Sequence, residues 1–349
     1  GTAGHVTPNI ALLPALQAAG YEIAYVGSYE GIEKKLIADF NIPYTGISTG
    51  KFRRYLDPKN FSDPFRVMKG FVEARNYLKN YQPDVVFSKG GFVSVPVVRA
   101  AASLHIPCII HESDMTPGLA NKLCIPVAEK VCCNFPETMK NIPADKAVLT
   151  GSPIRAELAQ GSKLAGLNMC GFTANKPVIM VIGGSLGAAN VNKAVRDALP
   201  KLLEDFQVVH LCGKDKIDNL LLNTPGYKQF EYIKAELKDI FAMADIVISR
   251  AGANAICELL ALKKPNILIP LPAASSRGDQ LLNAASFEAQ GYSIVLNEDD
   301  ITTNLLVDKV HELYFNRQNY VDAMSKSHQM DAVKTIMELI NAAADKKTN

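Results

Sequence analysis

The sequence predicts an α/β protein made of two Rossmann-like, doubly wound domains that face each other across a cleft. Short apolar runs alternate with stretches of helical character along the whole chain. Several runs are continuously apolar rather than alternating, as in parallel strands covered on both faces. Gly-rich or small-residue turns follow two of these runs, and a third such turn opens the chain. Because ligands of open α/β sheets lie beyond the carboxyl ends of the strands, we expect the site in the cleft.

The predicted strands fall into two groups, one for each domain. The first group is expected at Glu22–Val26, Asp84–Phe87, Cys108–His111, Lys130–Cys133 and Ala147–Thr150. The second group is expected at Val178–Ile182, Gln207–Leu211, Phe230–Ile233, Ile246–Ser249, Asn266–Ile269 and Ser293–Leu296. Helical stretches separate most of these runs, which is the order of elements in doubly wound folds.

The boundary between the domains is expected just after Gly151-Ser152-Pro153. It gives a first domain at residues 1–153 and a second at residues 154–327, with the linker within Arg155–Lys176. A helix is expected over Asn319–Ala344, and the tail at 328–349 is expected to return to the first domain.

The chain begins with Gly1 inside a Gly-rich turn rather than with Met. A phosphate-binding turn of this kind needs a strand that leads into it. We therefore expect about ten further residues upstream, enough for one strand and a start. The alternative interpretation is a residue left by cleavage of a tag.

Composition excludes several classes of protein. The chain has 349 residues, 48% of them hydrophobic and 21% charged, with a formal net charge of +2. This near balance does not indicate a nucleic-acid partner, and no apolar run has the length that crosses a bilayer. The seven cysteines lack zinc-site spacing, so we expect buried thiols in a reducing cytoplasm.

Three turns of a phosphate-binding type stand out. Ser249–Glu258 follows a buried strand and opens a helix, Gly183–Ala188 follows another strand, and Gly1–His5 begins the chain. Free backbone N–H groups and the positive end of the helix dipole meet at such turns. Three in one chain indicate a nucleotide and a second phosphorylated ligand. Gly183–Ala188 departs from Gly-x-Gly-x-x-Gly, which disfavours a nicotinamide cofactor.

Five motifs in one order resemble the bacterial MurG family over nearly the whole chain. They are Gly1–Pro8, His111–Asp114 with Pro117–Lys122, Gly151–Arg155, Gly183–Ala188, and Ser249–Glu258 with Gln280 and Asn283. The resemblance implies the GT-B fold and an inverting N-acetylglucosaminyltransferase. The implied donor is UDP-N-acetylglucosamine, and the implied acceptor is the muramoyl C4 hydroxyl of undecaprenyl-linked lipid I, which becomes lipid II for peptidoglycan synthesis.

The resemblance also implies catalysis with no metal and no cofactor. The sequence agrees, because it has no Asp-x-Asp that would hold a divalent ion on a diphosphate. Helix N-termini can instead stabilise the charge of the departing UDP. The first domain is then the acceptor and membrane side, and the second binds the UDP-sugar.

The implied donor-binding residues come from both domains. They are Thr2, Ala3, Gly4, Asp114, Arg155, Ser185, Ile233, Ala253, Asn254, Ala255, Glu258, Asp279, Gln280 and Asn283. Glu258 is implied to accept from the ribose hydroxyls, Ser185 to bind the α-phosphate, Gln280 to hold sugar hydroxyls and the Ile233 backbone to face uracil. The alternatives are a solvated Glu258 beside a surface Arg250, and a structural helix cap for Ser185.

Two residues compete for the role of general base, His5 and Glu112. An imidazole has a pKa close to ambient pH, which suits proton removal from the acceptor hydroxyl. Glu112 follows a predicted strand and would point into the cleft. The acceptor diphosphate is expected at Gly4, His5, Gly90, Gly91 and Phe92. The plain alternatives are a phosphate-contacting or structural histidine and a tight turn that only packs a helix on a strand.

A basic and aromatic stretch indicates contact with an anionic membrane. The residues expected at the surface of the lipid are Phe52, Arg53, Arg54, Phe61, Phe65 and Lys69. Basic residues near anionic lipid and interleaved aromatics both favour binding there. The location implied is the cytoplasmic face of the plasma membrane, as a peripheral protein without a nucleic-acid partner. The alternative is a mobile loop followed by an ordinary amphipathic helix.

Other functions of the same fold stay open at this point. One is a lipid glycosyltransferase with a diacylglycerol acceptor, and another is a UDP-N-acetylglucosamine 2-epimerase. A different class is a non-catalytic subunit that only binds the nucleotide sugar.

Overall fold

The computed structural model describes residues 3–50, 63–183, 188–275, 278–327, 329 and 331–348. The chain forms two compact units, each built from helices and parallel strands. The first unit consists of Gly1–Arg155 with Asp331–Asn349, and the second of Ala156–Met330. The α/β class predicted from the alternation of apolar runs is confirmed.

The first unit carries its strands in two separate parallel sheets. Its helices are α1 (Ala3–Ala18), α2 (Ile32–Ile37), α3 (Asp63–Tyr81), α4 (Ser94–Ser103), α5 (Leu119–Cys124) and α6 (Pro136–Met139). Its strands are β1 (Tyr25–Ser28), β2 (Tyr44–Ile47), β3 (Val86–Ser88), β4 (Cys108–Glu112), β5 (Lys130–Cys133) and β6 (Ala147–Leu149). β1 pairs with β2, and β3 to β6 pair in chain order. The strand expected before Gly1 stays a prediction.

Burial on both faces explains the continuous apolar run of β4. Ile110 packs into the cluster formed with α3 and α4. Ile109 points to the other face and meets Leu12 of α1 and two isoleucines, Ile336 and Ile340. Because side chains of a strand alternate between its two faces, each face of β4 packs into a different hydrophobic core.

The second unit contains one doubly wound, six-stranded sheet with its connecting helices. Its helices are α7 (Lys163–Cys170), α8 (Ala189–Asp205), α9 (Leu237–Met243), α10 (Ala253–Ala261), α11 (Asp279–Ala289), α12 (Thr303–Phe315) and α13 (Arg317–Ser325). Its strands are β7 (Val178–Ile182), β8 (Gln207–Leu211), β9 (Tyr227–Phe230), β10 (Ile246–Ser249), β11 (Asn266–Leu268) and β12 (Ser293–Val295). All pairs are parallel, in the order β12-β11-β10-β7-β8-β9.

The order of this sheet reverses between β7 and β10. Ile182 at the end of β7 lies beside Ser249 at the end of β10. The turns that leave these two strands therefore start side by side. Such a reversal opens a crevice for ligands at the carboxyl ends of the strands.

The structure corrects several predicted strands. The strand expected at Glu22–Val26 is found at Tyr25–Ser28, and the one expected at Phe230–Ile233 is found at Tyr227–Phe230. The strand β2 was not predicted, because its Tyr-Thr-Gly-Ile sequence lacks a continuous apolar run and is only half-buried for most of its length. The described strands of the first unit pair in two parallel sheets, β1 with β2 and β3 to β6.

The two units divide between Arg155 and Ala156, within the stretch expected to hold the linker, and the predicted final helix needs correction. The stretch Arg155–Lys176 contains α7, whose Ser162 cap accepts a hydrogen bond from the Ala165 N–H at 3.2 Å. α7 packs closely on α9, since a Cβ at Gly166 would lie 2.4 Å from the Asp239 carbonyl oxygen. The helix expected over Asn319–Ala344 is interrupted after α13, and a separate helix α14 (Ala332–Thr348) packs in the first unit.

All seven cysteines are buried and free, as the sequence predicts. Within the described ranges, no helix combines the length and the hydropathy needed to cross a membrane.

Candidate active site

The turn after β10 is held from behind by a buried arginine. Arg250 Nη1 donates to the carbonyl oxygens of Ile269 and Pro270, at 3.0 and 3.2 Å, and Nη2 pairs with the Glu298 carboxylate. Arg250 is only 8% exposed. The interpretation of Arg250 as a surface charge is therefore wrong. It joins the end of β10 to the segment after β11.

The helix α10 begins directly after this turn. Gly252 is its N-cap, in an extended conformation, and provides no side-chain hydrogen bond to the first turn. Ala253, Asn254 and Ala255 occupy that turn, and Glu258 follows one turn later; all four are half-buried. Small side chains at a helix N-terminus leave room for an anion near the backbone N–H groups.

The helix α11 is anchored to the same turn through two amide side chains. Gln280 Oε1 accepts from the Ala251 N–H at 3.3 Å and from the Leu271 N–H at 3.0 Å. Asn283 Nδ2 donates to the Ala251 carbonyl oxygen at 3.0 Å. These bonds use the carbonyl end of Gln280, so Nε2 is the end that can donate to a hydroxyl. Asn283 is 2% exposed and supports the turn; its contact with a donor stays a prediction.

The other residues predicted to bind the UDP-sugar lie in several different elements of the two units. Ile233 is buried in the segment between β9 and α9, and Asp279 is half-buried in the first turn of α11. In the first unit, Asp114 is exposed and Arg155 is half-buried. Thr2 and Ser185, also predicted to bind the donor, lie outside the described residues, and Ala3 is described only as the first residue of α1.

In the first unit, the predicted acceptor residues come together at the end of β3. Gly90 and Gly91 have φ values of +98° and +88°, a region that side-chain-bearing residues rarely adopt. A Cβ at Gly91 would lie 4.0 Å from Cδ2 of His5, so the imidazole in the first turn of α1 lies over this glycine. Gly4 is exposed and Phe92 is half-buried. The structure thus brings His5 and Gly91 together, and their binding of an acceptor stays a prediction.

A lysine and a histidine lie behind these glycines. Lys89 is 3% exposed, and its Nζ lies 2.7 Å from His111 Nδ1 and 2.5 Å from Ser113 Oγ. His111 is fully buried, and its Nε2 lies 2.8 Å from the Gly151 carbonyl oxygen. A carbonyl only accepts, so Nε2 carries the proton and Nδ1 accepts from Lys89. Burial and the Lys89 charge hold the pKa of His111 well below its ordinary value.

The carboxylate of Glu112 is occupied by the loop that follows β4. Oε1 accepts from the Asp114 N–H at 2.9 Å, and Oε2 accepts from the Gly118 N–H at 3.1 Å and Asn121 Nδ2 at 2.7 Å. Glu112 is only 3% exposed. These hydrogen bonds hold the loop of residues 113–121 against the Glu112 carboxylate. Glu112 therefore has a structural role.

The pKa of the His5 imidazole is lowered from its ordinary value. Burial is the largest cause, followed by the positive charge of Lys89, while Glu33 acts in the opposite direction. His5 is therefore neutral near pH 7, which is the form that can accept a proton.

Sequence reasoning missed two charged residues of this site, Glu33 and Lys89. Glu33 is 3% exposed in α2 and accepts from the Ser28 N–H at 2.9 Å and the Ser28 hydroxyl at 2.6 Å. Lys89 belongs to the predicted Gly90–Gly91 motif and comes directly after β3, a position that could have identified it.

The helix α3 bears on the membrane prediction. Its inner face carries Ala74 and Leu78, which are buried. Its outer face carries Phe65 and Met68, which are 78% and 67% exposed. Lys69 is also exposed and pairs with Glu73 at 3.8 Å. The other residues predicted to contact the membrane lie outside the described residues: Phe52, Arg53, Arg54 and Phe61.

Family models match both halves of the chain. The N-terminal domain of glycosyltransferase family 28 matches residues 1–133, and the C-terminal domain of the same family matches residues 178–340. Together with the two α/β units, these matches define a glycosyltransferase of family 28.

Curated relatives narrow the class further. A UDP-N-acetylglucosamine–N-acetylmuramyl-(pentapeptide) pyrophosphoryl-undecaprenol N-acetylglucosamine transferase of Lachnospira eligens is 64% identical over 340 residues, 97% of this chain and 96% of that protein. The transferase of the same name from Clostridium botulinum is 58% identical over the same shares. The chain belongs to the family of these transferases, the MurG family, as its motifs predict.

Solved structures agree with this assignment and with the GT-B fold. The crystal structure of Acinetobacter baumannii MurG is 29% identical, with a TM-score of 0.76, and the similarity covers 98% of this chain and 97% of that one. A UDP-GlcNAc 2-epimerase from Neisseria meningitidis, bound to UDP-GlcNAc, has a TM-score of 0.62 at 14% identity over 96% of each chain. That second likeness shows a shared fold alone.

Proposed function

We propose that this chain transfers N-acetylglucosamine from UDP-N-acetylglucosamine to undecaprenyl-pyrophosphoryl-N-acetylmuramyl-pentapeptide, lipid I, and so forms lipid II. The observation that carries the proposal is the 64% identity, over 97% of the chain, to a transferase named for this reaction. The positions of the motif residues at the carboxyl ends of strands support it, since ligands of such sheets bind there.

The second unit would hold the donor at the reversal between β7 and β10. The α10 N-terminus would face the diphosphate, with Glu258 one turn further on at the ribose hydroxyls. Gln280 is oriented by the Ala251 and Leu271 N–H groups, so that its Nε2 donates to a sugar hydroxyl. Backbone N–H groups at a helix N-terminus stabilise the negative charge that develops on departing UDP.

The first unit would bind the acceptor diphosphate at Gly90 and Gly91 and provide the base. His5 accepts the proton of the muramoyl C4 hydroxyl as that oxygen attacks the anomeric carbon. The bond from the anomeric carbon to the phosphate oxygen breaks, and UDP leaves with its electron pair. Attack opposite the leaving group inverts the anomeric configuration. We favour His5 over Glu112, because both oxygens of Glu112 already accept hydrogen bonds from the 113–121 loop.

Contact with the membrane would involve the outer face of α3. Phe65 and Met68 are spaced by three residues and lie on one side of the helix, beside Lys69. Apolar side chains next to a cation suit an anionic lipid surface. The protein would then work at the cytoplasmic face of the plasma membrane, where a lipid-linked acceptor is accessible to a protein that docks on the surface.

Release of UDP in the presence of different acceptors tests the reaction. Purified protein with UDP-N-acetylglucosamine should release UDP with lipid I and not with diacylglycerol. Release with diacylglycerol alone would favour a different lipid glycosyltransferase. Binding of UDP-N-acetylglucosamine without turnover on either acceptor would favour a non-catalytic subunit.

Two substitutions by glutamine, which removes the base but stays polar, separate the candidate bases. His5→Gln should abolish most of the turnover, whereas Glu112→Gln should mainly lower the melting temperature. The reverse pattern would assign the base to Glu112.

A further inference from the structure

Lys89 places a positive charge in the interior of the first unit. Removing an ammonium group from water is costly unless other groups hold it. Two of its contacts are the neutral acceptors His111 Nδ1 and Ser113 Oγ. They fix the position of the ammonium group without cancelling its charge. His111 is in turn held by the Gly151 carbonyl oxygen.

This charge lies beside the proposed base. Lys89 immediately precedes Gly90 and Gly91, and the ring of His5 lies over Gly91. His5, Lys89 and both glycines line one cavity of about 240 Å³ within the first unit. The lysine charge therefore acts on the imidazole from within the same site.

A bound acceptor changes the electrostatics of this site. A diphosphate at Gly90 and Gly91 would bring negative charge next to His5. Negative charge favours the imidazolium, which cannot accept a proton. Binding of the acceptor diphosphate would thus favour protonation of His5, the proposed base. A fixed positive charge close to His5 would oppose this protonation.

We propose that Lys89 acts through His5 as a positioning residue. Its ammonium group, fixed by His111 and Ser113, offsets the charge of the acceptor diphosphate and keeps the His5 imidazole able to accept a proton. This inference rests on the proposed role of His5 as the base. Among the described residues, the Lys89 charge after β3 disfavours the imidazolium of His5, and Glu33 of α2 favours it.

The pH profile of kcat/KM with a short-chain analogue of lipid I tests the inference. Activity falls at low pH as the base becomes protonated, so loss of the cation should move this acid limb to higher pH. Lys89→Gln removes the charge and keeps a hydrogen-bond donor, and it should shift the limb by about one pH unit. Its activity should recover toward that of the wild type at high pH.

Two matched variants separate charge from structure. Lys89→Arg keeps the charge, and Lys140→Gln removes an exposed positive charge from the same unit. Both should leave the acid limb at the wild-type position. A purely structural lysine would instead lower the rate at every pH in Lys89→Gln without moving the limb. An unmoved limb in Lys89→Gln overturns the inference.

Histidine NMR provides a second readout that needs no variant of Lys89. The His5 signal, assigned by its loss in His5→Gln, should titrate below about 6.5 in the wild type. Inorganic pyrophosphate should raise this midpoint only slightly. A wild-type midpoint at or above 6.5 without pyrophosphate overturns the inference, even if Lys89→Gln fails to fold. Full activity of His5→Gln would instead refute the proposed base, which is a distinguishable result.

Discussion

The turns after β3 and β10 differ in chemistry although both follow strands of parallel sheets. The turn at Gly90 and Gly91 in the first unit is surrounded by titratable groups, among them His5, Lys89 and His111. The turn after β10 in the second unit consists of Arg250, Ala251 and Gly252. Its one charged side chain, Arg250, is buried and paired with Glu298, so the small residues Ala251 and Gly252 lead into α10.

The difference indicates how the reaction is divided between the units. A turn with neutral side chains offers backbone N–H groups and the helix dipole, which bind a diphosphate at any pH near neutrality. A turn beside a histidine with a lowered pKa can also remove a proton. We therefore assign binding of the donor to the second unit and proton transfer to the first.

The largest expected effect is that of His5→Gln. Loss of the base should reduce kcat by about 100- to 10,000-fold, because the hydroxyl then attacks without removal of its proton. Affinity for UDP-N-acetylglucosamine, measured by calorimetry, should change little. A large loss of donor affinity with an unchanged kcat would break the proposed division.

For Glu258→Ala in the second unit, we expect a loss of affinity for the donor as the main effect. A carboxylate that accepts from ribose hydroxyls contributes roughly 1.5–3 kcal/mol, so donor affinity should fall about 10- to 100-fold. The same calorimetric titration with 2′-deoxyuridine diphosphate checks the assignment. If the variant discriminates between UDP and its deoxy form as strongly as the wild type, Glu258 does not contact the ribose.

Substitutions of glycine compare the backbones of the two turns. Gly90→Ala should lower the free energy of unfolding by about 1–3 kcal/mol, since the residue has a φ of +98° and its Cβ would lie 3.3 Å from Asn121 Nδ2. Gly252→Ala is the matched control, because a Cβ there meets nothing within 4 Å. Urea denaturation measures both. Equal losses would mean that the conformation at Gly90 is not strained by a side chain.

The smallest effect is expected at the membrane. Phe65→Ser combined with Met68→Ser should weaken sedimentation with anionic vesicles by about tenfold, since two exposed apolar side chains are lost. Leu220→Ser makes a similar change at a residue of the second unit that is 93% exposed. It should not alter sedimentation. Equal weakening by both changes would remove the specific role of α3.

Much of the second unit could be predicted from the sequence. The strands expected at Val178–Ile182, Gln207–Leu211 and Ile246–Ser249 have the observed bounds, because long runs of β-branched residues buried on both faces leave little ambiguity. The strand β2 was missed, since its half-buried sequence with Gly46 carries neither strong periodicity nor a long apolar run.

Some features of the candidate site could be predicted from the sequence, and others could not. Residues of short glycine-containing motifs, such as His5 and Gly91, are identifiable because their motifs are local. The bond between Lys89 and His111 depends on β3 lying beside β4, and the closing of the 113–121 loop on Glu112 depends on side-chain directions. Such contacts follow from tertiary packing, which local sequence patterns do not specify.

The product itself tests the central claim most directly. Wild-type protein incubated with UDP-N-acetylglucosamine and lipid I should give UDP and one new lipid. Mass spectrometry and anomeric NMR should identify it as lipid I carrying a single β-linked N-acetylglucosamine on the muramoyl C4 oxygen. An α-linked product, a free sugar epimerised at C2, or unchanged lipid I would contradict the account.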